Sequence, residues 1–388
     1  MQEESQAVSG AFAGAERVVT PQVVVDVERL KKNIARPAAI LPAGVELHPH
    51  VKTHKSFRIA RMQMEAGASG LTVSRPAEAA AFLRQGFGTV TIAYPIVDKA
   101  TAARLMEIAR EHGSRIRFIC DSAEGAATLA SAASNSAETV DVFLKVDVGL
   151  HRCGVDPVSQ KAVEVARALA DAPKLDLVGL LSHAGHAYGA GTPEGIREVA
   201  VREREQMTEL RERLAAEGID ARRISVGSTP TLFAHGGFEG IQEVRPGNYA
   251  FLDLSAVRLG IVERRDLSLA VVATVISAND DYAIVDAGSK TLSSDLGPHG
   301  TKGVAGFGEA YEIGGDGKAR QIQKLSEEHG FVVQEGKPLK RGARLLILPN
   351  HSCSVANLAS HLCFLEDGRE EYVPVDARSG TPWSMASA

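Results

Sequence analysis

The chain has 388 residues, of which 44% are hydrophobic and 23% are charged, and its formal net charge is −5. This length allows a large buried core and predicts one barrel-sized domain with a smaller second one. The modest negative charge argues against nucleic acid or another polyanion as a partner, and no apolar run approaches the length of a membrane span.

The N-terminus and the cysteines bear on where the protein works. Residues 1–19 lack the basic start and continuous apolar core of a secretory signal, and their Ala, Gly, Ser and Glu content predicts a flexible arm. Cys120, Cys153, Cys353 and Cys363 are spread too widely for a disulfide framework and suit a reducing compartment. We therefore expect a cytoplasmic protein.

Strand and helix patterns alternate along residues 20–255. The strand candidates are mostly continuous Val, Ile and Leu runs, which are typical of parallel strands covered on both faces, and several helical segments end at glycine. Repeated strand–helix units predict a (β/α)8 barrel over 20–255, whereas a doubly wound sheet is the alternative and lacks a GxGxxG after its first strand. The candidates are QVVVDV (22–27), ELHPHVK (46–52), GLTVSR (70–75), TVTIAYPI (89–96), RIRFICD (115–121), VDVFLKVDVG (140–149), LDLVGLLSHAG (175–185) and RRISVGS (222–228).

Beyond about residue 260 the pattern becomes strand-like without comparable helices. Gly, Asp and Pro separate the runs, as they do in β-rich domains. We therefore predict an all-β C-terminal domain over residues 256–388, with strands in LSLAVVATVISA (267–278), DYAIVDAG (281–288), ARLLILPNHSCSV (343–355) and EEYVPVDA (370–377).

The octapeptide HPHVKTHK (48–55) places Lys52 at the end of the second strand candidate. Burial and a like charge such as Lys55 would both disfavour the ammonium form, and a neutral amine can form a Schiff base. A solvated basic loop is the ordinary alternative. Three histidines and two lysines between apolar segments fit that alternative less well.

Other unusual residues follow later barrel strands, where such folds carry their functional groups. The run VDVGLHRCG (146–154) places Arg152 at the rim, and SHAGHAYG (182–189) brings three aromatic or imidazole side chains together. The run SVGSTPT (225–231) offers small residues whose N–H groups and hydroxyls could surround a phosphate, although an ordinary turn is the alternative. The candidate residues in these last two runs are His183, His186, Tyr188, Gly227, Ser228 and Thr229.

A second candidate site lies in the predicted β-domain, where His351-Ser352-Cys353 follows LLILPN. If the strand continues, its period of two places His351 and Cys353 on one face. An imidazole and a thiolate at this spacing make half of a tetrahedral zinc-type site. A buried cysteine beside a hydrogen-bonded histidine is the alternative.

These motifs resemble, in content and order, the D-threonine aldolase and D-serine dehydratase family. Its members are pyridoxal-phosphate enzymes of the alanine-racemase-like fold (fold type III), in which a barrel precedes a β-domain. The resemblance covers nearly the whole chain from residue 20 onward. It is carried by HPHVKTHK, HRCG, HAGHAYG, VGSTPT, RPGNYAFLD (245–253), VDAGSK (285–290), EEHG (327–330) and PNHSC (349–353).

The resemblance implies roles for individual residues. Lys52 would be the Schiff-base lysine, and Arg152 would lie near the phenolic oxygen of pyridoxal 5'-phosphate. His351 and Cys353 would hold a divalent metal such as Zn, Mn or Mg, and the protein would be a homodimer that acts on a small D-amino acid. The remaining implied contacts are those to the cofactor ring (His183 and Tyr188), to its phosphate (Gly227, Ser228 and Thr229) and to a further wall segment (Gly247, Asn248 and Tyr249).

Two lyase reactions are compatible with these parts. With the substrate's β-hydroxyl on the metal and His186 as base, Cα–Cβ cleavage gives glycine and an aldehyde, and we expect this D-threonine aldolase reaction. Alternatively, Lys52 removes the Cα proton and water leaves, as in a D-serine or D-3-hydroxyaspartate dehydratase. Cys353 favours this second reaction, because some aldolases of the family carry Asp there and the D-serine dehydratases carry Cys.

Two further activities fit the sequence less well. A racemase would share the fold, but it would not require a metal pair. A non-catalytic pyridoxal-phosphate carrier would be a barrel-only chain, so the predicted β-domain argues against it.

Overall fold

The computed structural model describes residues 12–134, 136, 138–298 and 304–379. Its contact pattern divides the chain into two compact units. The barrel unit contains Pro37–Gly247, and the β-unit contains Asn248–Arg378 with the described part of Met1–Arg36. Within the described ranges, no helix is long and apolar enough to cross a membrane.

Strands and helices alternate up to residue 244, and strands dominate thereafter. Short 3₁₀ helices occupy Val51–Thr53, Gly185–Gly189 and Arg264–Asp266. The strands are β1 (Gln22–Asp26), β2 (Glu46–Leu47), β3 (Leu71–Val73), β4 (Thr89–Ile92), β5 (Arg115–Cys120), β6 (Val140–Lys145), β7 (Leu175–Leu181), β8 (Arg223–Val226), β9 (Glu243–Val244), β10 (Leu269–Ala278), β11 (Tyr282–Val285), β12 (Gly308–Glu312), β13 (Arg320–Leu325), β14 (Gly330–Val333), β15 (Arg344–Pro349), β16 (His361–Glu366) and β17 (Arg369–Pro374). The helices are α1 (Val27–Ile40), α2 (Phe57–Glu65), α3 (Pro76–Arg84), α4 (Lys99–Glu111), α5 (Ala123–Ala133), α6 (Gln160–Ala170), α7 (Pro193–Ala216), α8 (Thr229–Phe233), α9 (Leu254–Arg258), α10 (Ser289–Leu292) and α11 (Ser352–Leu358).

Several helices of the barrel unit begin at a side-chain cap. Asp98, Ser122, Ser159 and Thr192 each accept a hydrogen bond from a backbone N–H in the first turn of the following helix. Such caps satisfy donors that have no partner within the helix, so they fix where α4, α5, α6 and α7 start.

The sheet of the barrel unit has eight parallel strands in the order β2-β9-β8-β7-β6-β5-β4-β3. The two ends of this order meet, because His50 just beyond β2 forms a parallel bridge with Thr72 of β3. The Thr72 N–H donates to the Pro49 carbonyl over 2.8 Å at the same seam. This closure confirms the predicted (β/α)8 barrel.

The identity of the first and last barrel strands differs from the sequence prediction. The run QVVVDV was expected to open the barrel, but β1 pairs with β10 and β16 in the β-unit. The barrel instead begins with β2 and ends with β9, which has only two residues. The apolar pattern of a strand does not indicate which sheet the strand will join. A strand of two residues is too short to show a hydrophobic periodicity.

The β-unit contains a nine-stranded sheet in the order β11-β14-β13-β12-β15-β10-β1-β16-β17. Its ladders are antiparallel except for β1 beside β16, which confirms the predicted β-rich domain. The central strands β10 and β15 are largely buried, as their Val, Ile and Leu content requires. These strands lie within the predicted runs 267–278 and 343–355.

The N-terminal segment differs from the predicted flexible arm. The contact pattern assigns the described residues before Pro37 to the β-unit and divides the chain again between Gly247 and Asn248. Within the predicted flexible arm, Phe12 and Val18 are buried, and Arg344 donates to the carbonyl oxygens of Ala15 and Val18. These two apolar side chains therefore anchor residues 12–19, whereas residues 1–11 and 380–388 lie outside the described residues.

Candidate active site

Lys52 lies half-buried in the 3₁₀ helix Val51–Thr53, beyond the end of β2. His50 caps this helix, because its Nδ1 accepts a hydrogen bond from the Lys52 backbone N–H over 3.5 Å. Burial and the neighbouring charge of Lys52 hold the pKa of the His50 imidazole well below its usual value, and Arg245 and Arg152 add to this effect. Three basic residues therefore act on one imidazole at this end of the barrel.

The positive charge of Lys55, which was expected to disfavour the ammonium form of Lys52, is neutralised by a carboxylate. Lys55 forms a buried ion pair with Glu78, with 3.1 Å between Nζ and Oε1. A different lysine, Lys145, has its pKa lowered to about 8 by burial, with Arg245 and Arg152 lowering it further. The cationic neighbours at this end of the barrel are therefore the two arginines rather than Lys55.

The segment after β8 approaches neighbouring chain closely at Gly227. Its φ is +145°, and a Cβ there would lie 2.7 Å from the Arg245 backbone nitrogen. The Gly227 carbonyl accepts a hydrogen bond from His183 Nδ1 over 2.7 Å. Gly227 is therefore required for the fold of this segment and for its contact with His183.

The two hydroxyls after Gly227 differ in their hydrogen bonding. Ser228 Oγ accepts from the Thr231 N–H and forms a capping box at the start of α8. Thr229 Oγ1 is buried and has no hydrogen-bond partner among the described residues. Burying a hydroxyl without a hydrogen-bond partner destabilises the folded protein. A ligand that accepts a hydrogen bond from Thr229 would remove this cost.

Gly247 lies against the Lys52 segment from the other side. A Cβ at this position would meet Thr53 Oγ1 at 3.3 Å and the His50 Cβ at 3.5 Å. A larger residue would therefore press on the 3₁₀ helix that carries Lys52.

His186 and Tyr188 lie in the 3₁₀ helix Gly185–Gly189, and both are half-buried. A Cβ on Gly149 would lie 3.3 Å from His186 Cε1, so the ring packs against the loop after β6. Burial, followed by the charge of Arg202, lowers the pKa of His186, and Asp147 opposes this effect. The ring is therefore neutral near pH 7, and its buried Nδ1 has no hydrogen-bond partner among the described residues.

Asn248 and Tyr249 begin the β-unit, directly after Gly247. The Asn248 amide donates to Asp253 over 2.6 Å and accepts from Ser352 Oγ over 2.7 Å. Tyr249 is completely buried. Asn248 is therefore held in place by two side chains of its own unit.

His351 and Cys353 meet in the β-unit, but not through strand alternation. The strand β15 ends at Pro349, and His351 is the N-cap of α11. The prediction that one strand face carries both residues was therefore wrong, because the chain turns into a helix between them. Burial lowers the pKa of His351, but the Cys353 thiolate and the hydrogen bond to Asp295 raise it to about 11.

A further group of acidic and imidazole side chains lies inside the barrel, formed by Glu46, His48 and Glu243. Arg117 donates to His48 Nδ1 over 2.9 Å and to Glu243 Oε2 over 2.8 Å. Arg223 donates to Glu46 over 2.5 Å. Because two guanidinium groups already compensate the carboxylates, we interpret this group as a buried ion-pair network rather than a metal centre.

Comparison with known proteins places the chain in a family. A model described as the alanine racemase N-terminal domain matches residues 25–255, and one described as a putative serine dehydratase domain matches residues 268–365. The chain is 34% identical to D-threo-3-hydroxyaspartate dehydratase of Delftia sp. (strain HT23), over 90% of this chain and 95% of that protein. The chain belongs to the D-threonine aldolase and D-serine dehydratase family. This family is pyridoxal-phosphate-dependent, and its members are lyases.

Further relatives support this membership in the D-threonine aldolase and D-serine dehydratase family. A D-threonine aldolase from Arthrobacter sp. is 29% identical, over 91% of this chain and 90% of its own length. The solved structure of D-threonine aldolase from Filomicrobium marinum has a TM-score of 0.84 at 26% identity and covers 95% of this chain and 97% of its own. An alanine racemase from Clostridium difficile 630 matches with a TM-score of 0.68 at 13% identity, which supports the alanine-racemase-like fold alone.

Most of the barrel residues predicted for this family member are connected through a few contacts. His50 is bonded to the Lys52 backbone and packs against Gly247, and the charge of Arg152 lowers its pKa. Gly227 joins His183 to the Arg245 backbone. Among the described contacts, those of His186 join it to the loop after β6 and not to Lys52. His351 and Cys353 interact with each other within the β-unit.

The sequence prediction for this family member missed His50, Arg245 and Asp295. His50 lies two positions before Lys52, but it is the N-cap of a 3₁₀ helix rather than part of a strand, so strand alternation does not predict its contact. Arg245 is a buried cation that precedes the RPGNY segment. Asp295 contacts His351 across 56 residues of sequence, and no spacing rule predicts such a contact.

Proposed function

We propose that the protein is a pyridoxal-phosphate- and divalent-metal-dependent lyase that acts on D-β-hydroxy-α-amino acids. The observation that carries this proposal is the His351–Cys353 contact, in a chain 34% identical to a D-threo-3-hydroxyaspartate dehydratase. A solved cysteine-to-alanine mutant of that dehydratase is described as the metal-free form, which supports a metal-binding role for Cys353.

Pyridoxal phosphate, when bound, supplies an electron sink for the charge that develops at the substrate's Cα. The barrel unit fits this group, because Thr229 Oγ1 needs a partner and Gly227 lets the backbone approach closely. We assign the covalent link to Lys52 and the phenolic oxygen to Arg152. His183 and Tyr188 would contact the ring, and Gly227, Ser228 and Thr229 would hold the phosphate. Gly247, Asn248 and Tyr249 would form a further wall segment.

The metal ligands would be the His351 imidazole and the Cys353 thiolate. A nitrogen and a sulfur ligand suit Zn²⁺ best among the divalent ions considered, and Mn²⁺ and Mg²⁺ prefer oxygen. A bound ion would supply Lewis acidity toward a substrate hydroxyl.

Two reactions of this class differ in which proton the chain removes. In retro-aldol cleavage, His186 accepts the β-hydroxyl proton while Cα–Cβ breaks, and Cα then takes up a proton, giving glycine and an aldehyde. The lowered pKa of His186 and its Nδ1, which has no partner among the described residues, favour this reaction. In dehydration, Lys52 accepts the Cα proton and hydroxide leaves Cβ, and water then hydrolyses the imine tautomer of the resulting enamine to a keto acid and ammonia. Cys353 and the dehydratase relative favour dehydration.

Product analysis tests the proposal directly. The holoenzyme is incubated with D-threonine, D-serine and D-threo-3-hydroxyaspartate, and the products are identified. Glycine with an aldehyde indicates aldolase activity, and a keto acid with ammonia indicates dehydratase activity. Racemisation of these substrates, without either product and unaffected by EDTA, would contradict the proposal.

Replacing His186 with Asn separates the two chemistries. If His186 is the base of the retro-aldol reaction, kcat for D-threonine cleavage should fall by about 10² to 10⁴. A dehydratase that uses Lys52 as base should lose much less activity toward D-serine. Near-wild-type cleavage of D-threonine by His186→Asn would remove the catalytic role assigned to His186.

Replacing Thr229 with Val tests the phosphate contact. We expect weaker cofactor retention on dialysis, with an unchanged or raised melting temperature of the apoprotein, because the lost hydroxyl has no hydrogen-bond partner in the described part of the chain. Thr231→Val is the matched control. It removes the hydroxyl that accepts from the Ser228 N–H, and leaving that buried donor without a partner should cost about 1 to 3 kcal/mol of apoprotein stability. Equal cofactor retention in Thr229→Val and wild type would refute the contact.

We also infer that the protein is a cytoplasmic homodimer. The dimer rests on the family resemblance alone. The cytoplasm rests on Cys120, Cys153, Cys353 and Cys363, which form no disulfide among the described residues.

A further inference from the structure

We propose that Asp295 is the positioning residue of the metal pair, and that it fixes the ring of His351 so that Nε2 faces the ion. Asp295 Oδ2 lies 2.7 Å from His351 Nδ1. This inference rests on the proposed metal site, because the orientation of the ring matters only if Nε2 is a ligand.

The Asp295 carboxylate is itself held at both oxygens. Oδ1 accepts a hydrogen bond from the Gly297 N–H over 2.9 Å. Oδ2 accepts from Ser354 Oγ over 2.9 Å in addition to its contact with His351. Three donors thus fix the carboxylate, and it can impose an orientation on the imidazole.

The hydrogen bond to Asp295 decides which nitrogen of His351 carries the proton. A carboxylate only accepts hydrogen bonds, so Nδ1 must be the protonated nitrogen when the ring is neutral. The lone pair is then on Nε2, as a metal ligand requires. Metal-binding histidines commonly donate their second nitrogen to a carboxylate in this way.

A separate group of contacts holds the backbone between the two ligands. The Ser352 N–H donates to Asp253 Oδ2 over 3.0 Å, and Ser352 Oγ donates to Asn248 Oδ1 over 2.7 Å. Asn248 is in turn bonded to Asp253 over 2.6 Å. These contacts fix the main chain, but they do not fix the orientation of the His351 ring. The hydrogen bond to Asp295 restricts that rotation.

The test measures metal affinity rather than activity alone. Competition with a chromophoric chelator gives the dissociation constants for Zn²⁺ and Co²⁺, and Co²⁺ absorbance reports the ligand field. We expect Asp295→Asn to bind about 10- to 100-fold more weakly than wild type, with altered Co²⁺ bands and an unchanged cofactor spectrum. Asp281→Asn, an exposed aspartate of the same unit, should match wild type.

The outcomes distinguish this inference from the proposed function. If wild type and His351→Ala both bind no metal, the metal pair itself is wrong. If wild type binds, His351→Ala does not, and Asp295→Asn binds like wild type, the role of Asp295 is overturned. Should Asp295→Asn fail to fold, Ser354→Ala must weaken binding, since the lost hydroxyl donates to the same Oδ2 and also lies 3.4 Å from His351 Nδ1. An unchanged dissociation constant in Ser354→Ala would then overturn the inference.

Discussion

The Lys52→Ala protein is expected to lose turnover while it keeps its fold. Loss of a general base alone costs about 10² to 10⁴ in rate, and loss of the covalent link to the cofactor adds to this. Borohydride reduction of the wild-type holoenzyme should fix the cofactor on the peptide that contains Lys52, as peptide mapping would show. The melting temperature should change little, because the role of the amine is chemical.

Lys55→Ala is the matched control for Lys52→Ala, three residues away. It should lower the melting temperature, because removing one partner of a buried ion pair leaves Glu78 uncompensated and typically costs about 3 to 5 kcal/mol. The assignment of Lys52 would be wrong if the reduced cofactor were found on Lys55, or on Lys145, whose pKa is lowered to about 8.

Chelation of the metal is expected to silence the enzyme without bleaching the cofactor's visible absorbance. The proposed cofactor link at Lys52 and the proposed metal ligands His351 and Cys353 belong to different units of the chain, so removing the ion should leave the cofactor in place. Lewis acidity contributes several kcal/mol, which corresponds to a loss of about a hundredfold or more in kcat. The measurement is turnover of D-threonine and D-serine before and after treatment with EDTA.

His351→Ala should reproduce the chelated state. Added Zn²⁺ or Mn²⁺ should restore the chelated wild type but not the variant, because the variant lacks a ligand. His361→Ala serves as the control, since His361 is an exposed histidine of the same unit. Full activity of EDTA-treated wild type, with its metal verified as removed, would exclude a catalytic metal.

The fold could be predicted from sequence where the signal was local. Runs of Val, Ile and Leu between helices that end at glycine predicted the closed barrel correctly. The sheet that β1 joins could not be predicted, because its partners Ala270 and Cys363 lie far along the chain. Two-residue β9 has no periodicity at all.

The candidate site was also predictable only in part. Residue types and motif order predicted Lys52, His183 and Gly227 as site residues, and the structure shows that His183 and Gly227 are in contact. The spacing of His351 and Cys353 predicted their proximity, but for the wrong reason, because α11 rather than a strand brings them together. The family resemblance also pointed to Asn248, but it did not predict the hydrogen bonds of its amide to Asp253 and Ser352.

The position of β1 between β10 and β16 has a consequence for folding during translation. The barrel unit is almost contiguous, so its strands can pair as they leave the ribosome. In contrast, β1 emerges early and stays unpaired until Leu269–Ala278 and then His361–Glu366 have been synthesised. An apolar strand left open this long can pair with other chains, so nascent protein should depend on chaperones more than a contiguous two-domain enzyme. For the same reason, no single cut divides the gene into two fragments that each encode one complete unit.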